Sequence, residues 1–172
     1  MAVDTIIVGA GGRGNAYGKF AQEYPHELNV VGVAEPDKLR RDRLVTFHDV
    51  APEMIFQDWQ SLVASDKKLA SAIFNCTMDR DHYASTMKML DMGYDVLLEK
   101  PMTPVLHENV KLVQKAEDNG RLLQICHVLR YSPFWQKLRE IVHSGTLGRI
   151  ISVTHRENLA YWHMAHSFVR GN

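Results

Sequence analysis

At 172 residues, 45% of them hydrophobic, the chain can bury a substantial core, and its length fits one domain or one and a fraction. Twenty Lys and Arg side chains balance twenty Asp and Glu, so no net field recruits nucleic acid or an anionic membrane surface. There is no apolar run of about 18 residues and no leader pattern, so the cytoplasm is the expected location and no membrane contact is expected.

The first element is an apolar run, Thr5-Ile6-Ile7-Val8, that leads directly into Gly9-x-Gly11-x-x-Gly14. Tyr17, Phe20, Ala21 and Tyr24 follow at i, i+3, i+4 and i+7, so the order reads strand, glycine turn, helix. Each glycine has its own reason: Gly9 for the tight turn, Gly11 for close approach of backbone to a pyrophosphate, Gly14 for close packing of helix on strand. The helix start then offers unpaired N–H groups and the positive dipole end to phosphate. A structural glycine turn is the competing reading. The preceding β-branched run and an acidic residue closing the next strand about 20 positions on, Glu35, favour dinucleotide binding.

After Pro25 breaks the helix, Asn29 to Glu35 reads as a second strand, apolar on both faces as a parallel sheet requires. A carboxylate at that strand end faces an adenosine ribose and repels a 2′-phosphate, which favours NAD. Lys38, Arg40, Arg41 and Arg43 just downstream keep NADP as the alternative, or form a solvated helix face. Asp37 to Phe47 is the second helix, Glu53 to Gln57 a short strand, and Ser71 to Thr77 a buried one. Tyr83, Met87 and Leu90 recur at helical spacing before Gly93, a C′ glycine. Asp95 to Glu99 is the next strand. Thr103 as N-cap with Pro104 at N1 opens a helix whose inward face is Leu106, Val110 and Val113. Arg121 to His127 gives one more strand, and Ser132-Pro133 starts a helix facing inward with Phe134, Leu138, Ile141 and Val142. Cys76 and Cys126 end apolar runs and read as buried, reduced thiols without a metal or disulfide role.

From Gly148 the pattern changes: Arg149 to Glu157 reads as a longer, partly alternating strand of antiparallel type, followed by an aromatic- and histidine-rich stretch. The fold expected is α/β, a Rossmann-type doubly wound parallel sheet over residues 1–127, with residues 128–172 opening an incomplete α+β substrate and dimerisation domain. The unpaired strand is expected to pair with another copy, making the chain a homo-oligomer. His163 and His166, with His155 nearby, have a metal-like spacing but no supporting carboxylate, so they read as loop histidines beside a substrate cleft and no metal is expected. Tyr161 and Trp162 offer either a sugar-stacking surface or sheet packing.

Several of these residues together carry a family pattern. They are Gly9 to Gly14, Ala34-Glu35-Pro36, Thr77 with His82, Glu99-Lys100-Pro101, and His127 to Tyr131 before Ser144-Gly145-Thr146-Leu147-Gly148. With them the chain resembles the Gfo/Idh/MocA oxidoreductases, relatives of glucose-fructose oxidoreductase and inositol dehydrogenase. The resemblance implies NAD(P)-dependent hydride transfer at a sugar or cyclitol hydroxyl. It implies a cofactor site of Gly9, Gly11, Gly12, Arg13, Gly14, Glu35, Thr77, His82, Glu99, Lys100, Pro101 and Arg130, with Lys100 as the catalytic residue and a cis Lys100–Pro101 peptide. A lysine desolvated beside the reacting oxygen stabilises developing alkoxide and helps move the proton. Met78-Asp79-Arg80 departs from the family's proline and asparagine, and the histidine-aspartate motif that completes its proton transfer has no counterpart here. The chain alone is therefore expected to bind cofactor without turnover. An NAD-dependent glycosidase and a non-catalytic nucleotide-binding module are the competing functions.

Overall fold

The structure, a computed structural model, describes residues 1–165 and 169, and divides into two compact units, Met1–Cys126 and His127–Asn172. In the first unit β1 (Val3–Val8), β2 (Leu28–Ala34), β3 (Ile55–Phe56), β4 (Ala72–Asn75), β5 (Asp95–Leu98) and β6 (Leu123–Ile125) form one sheet in the order β3-β2-β1-β4-β5-β6. Every pairing is parallel. The connecting helices are α1 (Gly12–Glu23), α2 (Lys38–His48), α3 (Trp59–Val63), α4 (His82–Asp91) and α5 (Leu106–Asp118). This strand order reverses between β1 and β4, and the crevice beyond the strand ends at such a switch point is where doubly wound sheets bind ligands.

Continuous apolar strands dictate this two-sided architecture. Ile6 and Val8 pack with Ile73, Val96, Leu98 and Leu112 on one face of the sheet, while Ile7 between them packs with Val33, Ala21 and Leu44 on the other. Alternate residues of one strand thus feed two cores, each fully buried aliphatic side chain contributing about 1.5–3 kcal/mol.

Several expected faces turn out differently. On α1 the buried residues are Gly14, Gly18 and Ala21, whereas Phe20 and the C-cap residue Tyr24 are exposed and pack on each other with tilted rings, centroids 4.6 Å apart. The helix lies so close to β1 that only small residues fit between them. On α5 the buried residues are Leu112 and Ala116; Leu106, Val110 and Val113 are exposed, Leu106 at 78%. Thr103 is not its N-cap residue, Val105 is, yet the Thr103 hydroxyl accepts the Val105 N–H at 2.8 Å and donates to Glu108 at 2.7 Å.

The second unit holds α6 (Pro133–His143), started by the expected proline, and the short α7 (Tyr161–Met164). Phe134, Leu138, Ile141 and Val142 are exposed rather than inward. Arg149 to Glu157 forms no strand; a strand exists by its ladder, and no described segment supplies one. No helix among the described residues is long and apolar enough to cross a membrane.

Candidate functional site

The site is assembled from the first residues beyond the strand ends, each still held by the ladder. Gly9 N–H donates to the Ala34 carbonyl, Glu35 to Phe56, Cys76 to Val8, Glu99 to Asn75 and Cys126 to Leu98. Gly9 has φ +94°, and a Cβ there would lie 2.3 Å from the Cys76 carbonyl oxygen. A Cβ on Gly14 would lie 2.1 Å from the Gly9 carbonyl oxygen, so the turn and the helix start touch through backbone alone. Around Gly11 and Gly12 a Cβ would meet nothing within 4 Å. The protein packs against Gly9 and Gly14 and leaves space over Gly11.

A cavity of about 430 Å³ opens at this edge, lined by Gly9, Gly11, Glu35, Arg40, Trp59 and Thr77 among others. Glu35 is buried, and its carboxylate accepts the Ala10 N–H at 2.6 Å and the Asp37 N–H at 2.9 Å. Those bonds fix the carboxylate at the mouth of the glycine turn, with lone pairs left for ligand hydroxyls. Of the nearby cations, Arg41 donates to the Glu35 carbonyl and Lys38 pairs with Asp42. Arg40 lines the cavity, 4.0 Å from Asp37.

The second cluster surrounds Glu99. Its buried carboxylate accepts from the Tyr17 hydroxyl and from the Lys100 N–H at 3.0 Å, and lies 3.6 Å from Arg13. Burial first, then the neighbouring Cys126 and Glu99, push the Tyr17 phenol well above its ordinary range, so it stays a donor. Burial also pushes up the thiols of Cys76 and Cys126, which directly follow β4 and β6, the neighbours of the strand that Glu99 follows. The Lys100–Pro101 peptide is cis. Lys100 is exposed, so the described residues do not desolvate its ammonium as the sequence reading expected.

His82 is held within the protein at the start of α4. The ring is fully buried, Nδ1 lies 2.7 Å from the Pro101 carbonyl oxygen and Nε2 lies 3.2 Å from that of Thr77. Arg130 belongs to the second unit, where it lines a cavity of about 540 Å³ with Trp135, Arg139 and His155. His155 is edge-on to Trp135 and His163 stacks on Trp162, while His166 lies outside the described residues.

Sequence reading missed the polar support beneath the site. Asn75 is buried; its amide donates to Ser85 at 2.8 Å and Thr86 at 2.9 Å, and its oxygen accepts the Thr77 hydroxyl at 2.9 Å. The available signal was spacing: His82, Ser85 and Thr86 share one face of α4 with the core residues Met89 and Leu90. Polar side chains in such positions need buried partners. Trp59 at the cavity was likewise not picked out as a site residue, and Arg40 was named only as one of four cations that keep NADP as the alternative.

Residues 3–127 match the GFO_IDH_MocA family, described as an oxidoreductase family of NAD-binding Rossmann fold. Inositol 2-dehydrogenase 4 of Saccharopolyspora erythraea is 27% identical over 144 residues, which cover 83% of this chain and 41% of that protein. Bovine trans-1,2-dihydrobenzene-1,2-diol dehydrogenase is 29% identical over 168 residues, 96% of this chain and 49% of that one. The chain thus spans less than half the length of these relatives. Among solved structures, myo-inositol 2-dehydrogenase from Lactobacillus plantarum superposes with TM-score 0.78 at 19% identity, over 88% of this chain and 44% of its own. The Bordetella pertussis WlbA dehydrogenase, solved with NADH and UDP-GlcNAcA, gives 0.76 at 16% identity over 87% and 44%. With a family match over most of the chain and a glycine turn and acidic strand end at the switch point, this protein belongs to the Gfo/Idh/MocA oxidoreductases, an NAD-binding Rossmann family.

Proposed function

We propose that this chain is the cofactor-binding part of an oxidoreductase that transfers a hydride from a sugar or cyclitol carbinol carbon, or back to the ketone, using NAD in preference to NADP. The observation that carries the reading is Glu35, held by two backbone N–H groups at the end of β2 beside the glycine turn. The residues fit a dinucleotide: the space over Gly11 accepts a pyrophosphate, and α1 starts without a side-chain cap on its N–H groups.

Bound NAD would supply the hydride acceptor. Glu35 would accept hydrogen bonds from the adenosine ribose hydroxyls and oppose a 2′-phosphate. Glu99, steadied by Tyr17 and the Lys100 N–H, would orient the second ribose. Lys100 Nζ would donate to the reacting oxygen and stabilise its developing negative charge. The relatives named inositol dehydrogenase support the polyol substrate class. We also read the parent protein as a homo-oligomer, and the 172-residue chain alone as binding cofactor without turnover, since it spans less than half the length of the dehydrogenases it resembles.

Titrating the chain with NAD⁺ while following fluorescence tests this directly. Trp59 lines the cavity, so binding is expected to change its emission, and a Trp59→Phe chain is expected to bind without that change. Absence of saturable NAD⁺ binding would remove the reading. An assay of the whole protein on a panel of polyols and glycosides then separates net NADH formation from sugar release, which would point instead to a glycosidase.

A further inference from the structure

We propose that His82 is a positioning residue of the cleft: its buried imidazole clasps the backbone carbonyls of Thr77 and Pro101 and holds the loops after β4 and β5 at a fixed spacing. The inference rests on the reading of this cleft as the NAD site.

The two carbonyls come from segments far apart in sequence, and a single ring reaches both, at 3.2 Å for Thr77 and 2.7 Å for Pro101. His82 is the first residue of α4 and has no exposed surface, so it does this from behind the site rather than from within it. A neutral imidazole donates from one nitrogen only, and the shorter contact makes Nδ1–H to Pro101 the primary bond; an imidazolium would donate to both. An apolar side chain of similar size would fill the volume but leave the Pro101 carbonyl without this donor. The Thr77 end is secured independently, because the Thr77 hydroxyl donates to Asn75, itself tied to Ser85 and Thr86 of the same helix. At the other end, Pro101 directly follows Lys100, whose N–H donates to Glu99. Helix α4 therefore sets Thr77, which lines the cavity, relative to the Glu99-Lys100 cluster.

The test compares His82→Leu with His82→Gln, whose amide retains N–H donors. With both variants melting cooperatively, NAD⁺ affinity measured by calorimetry is expected to fall about tenfold in His82→Leu and to return to within about threefold of wild type in His82→Gln. A cooperatively folded His82→Leu chain that binds NAD⁺ like wild type would overturn the proposal. Imidazole N–H spectra of the ¹⁵N-labelled wild-type chain supply a readout that needs no variant to fold. A slowly exchanging His82 Nδ1–H that shifts on NAD⁺ addition is expected, and its absence in the free chain would overturn the clasp. Should wild type fail to bind NAD⁺ while that N–H signal is present, the assignment of function falls and the clasp stands.

Discussion

Gly12 and Gly14 lie two residues apart in the first turn of α1 and should respond oppositely to a methyl group. At Gly14 an added Cβ runs into backbone, the Gly9 carbonyl oxygen at 2.1 Å, and backbone there cannot yield without opening the turn. Gly14→Ala is expected to cost about 1–3 kcal/mol, the range for overpacking, read as a lowered Tm, and to weaken NAD⁺ binding. Gly12 meets nothing, so Gly12→Ala is expected to leave Tm nearly unchanged or raise it by the fraction of a kcal/mol typical of compatible glycine replacements. Differential scanning calorimetry of the two variants checks the contrast, and a Gly14→Ala chain as stable as wild type would contradict the packing account. The packing of Gly14 and the placement of Glu35 at a strand end were legible in the sequence because both follow from backbone geometry at fixed spacing. The roles of His82 and Tyr17 were not, since the partners they reach, Pro101 and Glu99, are set by tertiary structure alone.

At the scale of elements, the positions of β1 to β6 and of the main helices followed from apolar runs punctuated by glycine and proline, whereas helix faces did not. Periodicity identified an apolar stripe on α1 and on α5, but the buried face of α1 is the glycine and alanine side, because close approach to the sheet outweighs side-chain size. Close packing also traps His48 at the end of α2. Its Nε2 is buried without a partner, beside Gly18, and burial lowers the imidazole pKa from its ordinary value near 6.5. The unfolded chain then binds the proton more readily than the folded one. Stability is expected to fall as pH drops below about 6.5, and the loss between about pH 7 and pH 5 should shrink in His48→Gln. Thermal melts across that range decide it; identical pH dependence in the two chains would contradict the assignment. The expected strand at Arg149 to Glu157 shows the converse limit, because strand composition without a ladder partner yields no strand.

Across the whole molecule, the first unit carries the family match, the parallel sheet and the cavity at its switch point. The second unit exposes Phe134 and Leu138 on α6 together with Ile151, 92% exposed, and Val153 beyond it. Apolar surface of that kind favours association. Light scattering over a range of concentrations is expected to show a mass that rises above that of one chain, and a strictly monomeric chain would contradict it. The fold-level reading came from the sequence because the order of βα units prescribes a doubly wound sheet. Cofactor preference is the sharper claim, since it turns on the Glu35 carboxylate, with Arg40 the cation among the described residues that lines the same cavity. Calorimetric titration of the wild-type and Glu35→Ala chains with NAD⁺ and NADP⁺ tests it most directly. Wild type should bind NAD⁺ at least about tenfold more tightly than NADP⁺, and Glu35→Ala should lose most of that difference. Equal or tighter NADP⁺ binding by wild type, or a preference untouched by the substitution, would contradict the assignment of Glu35.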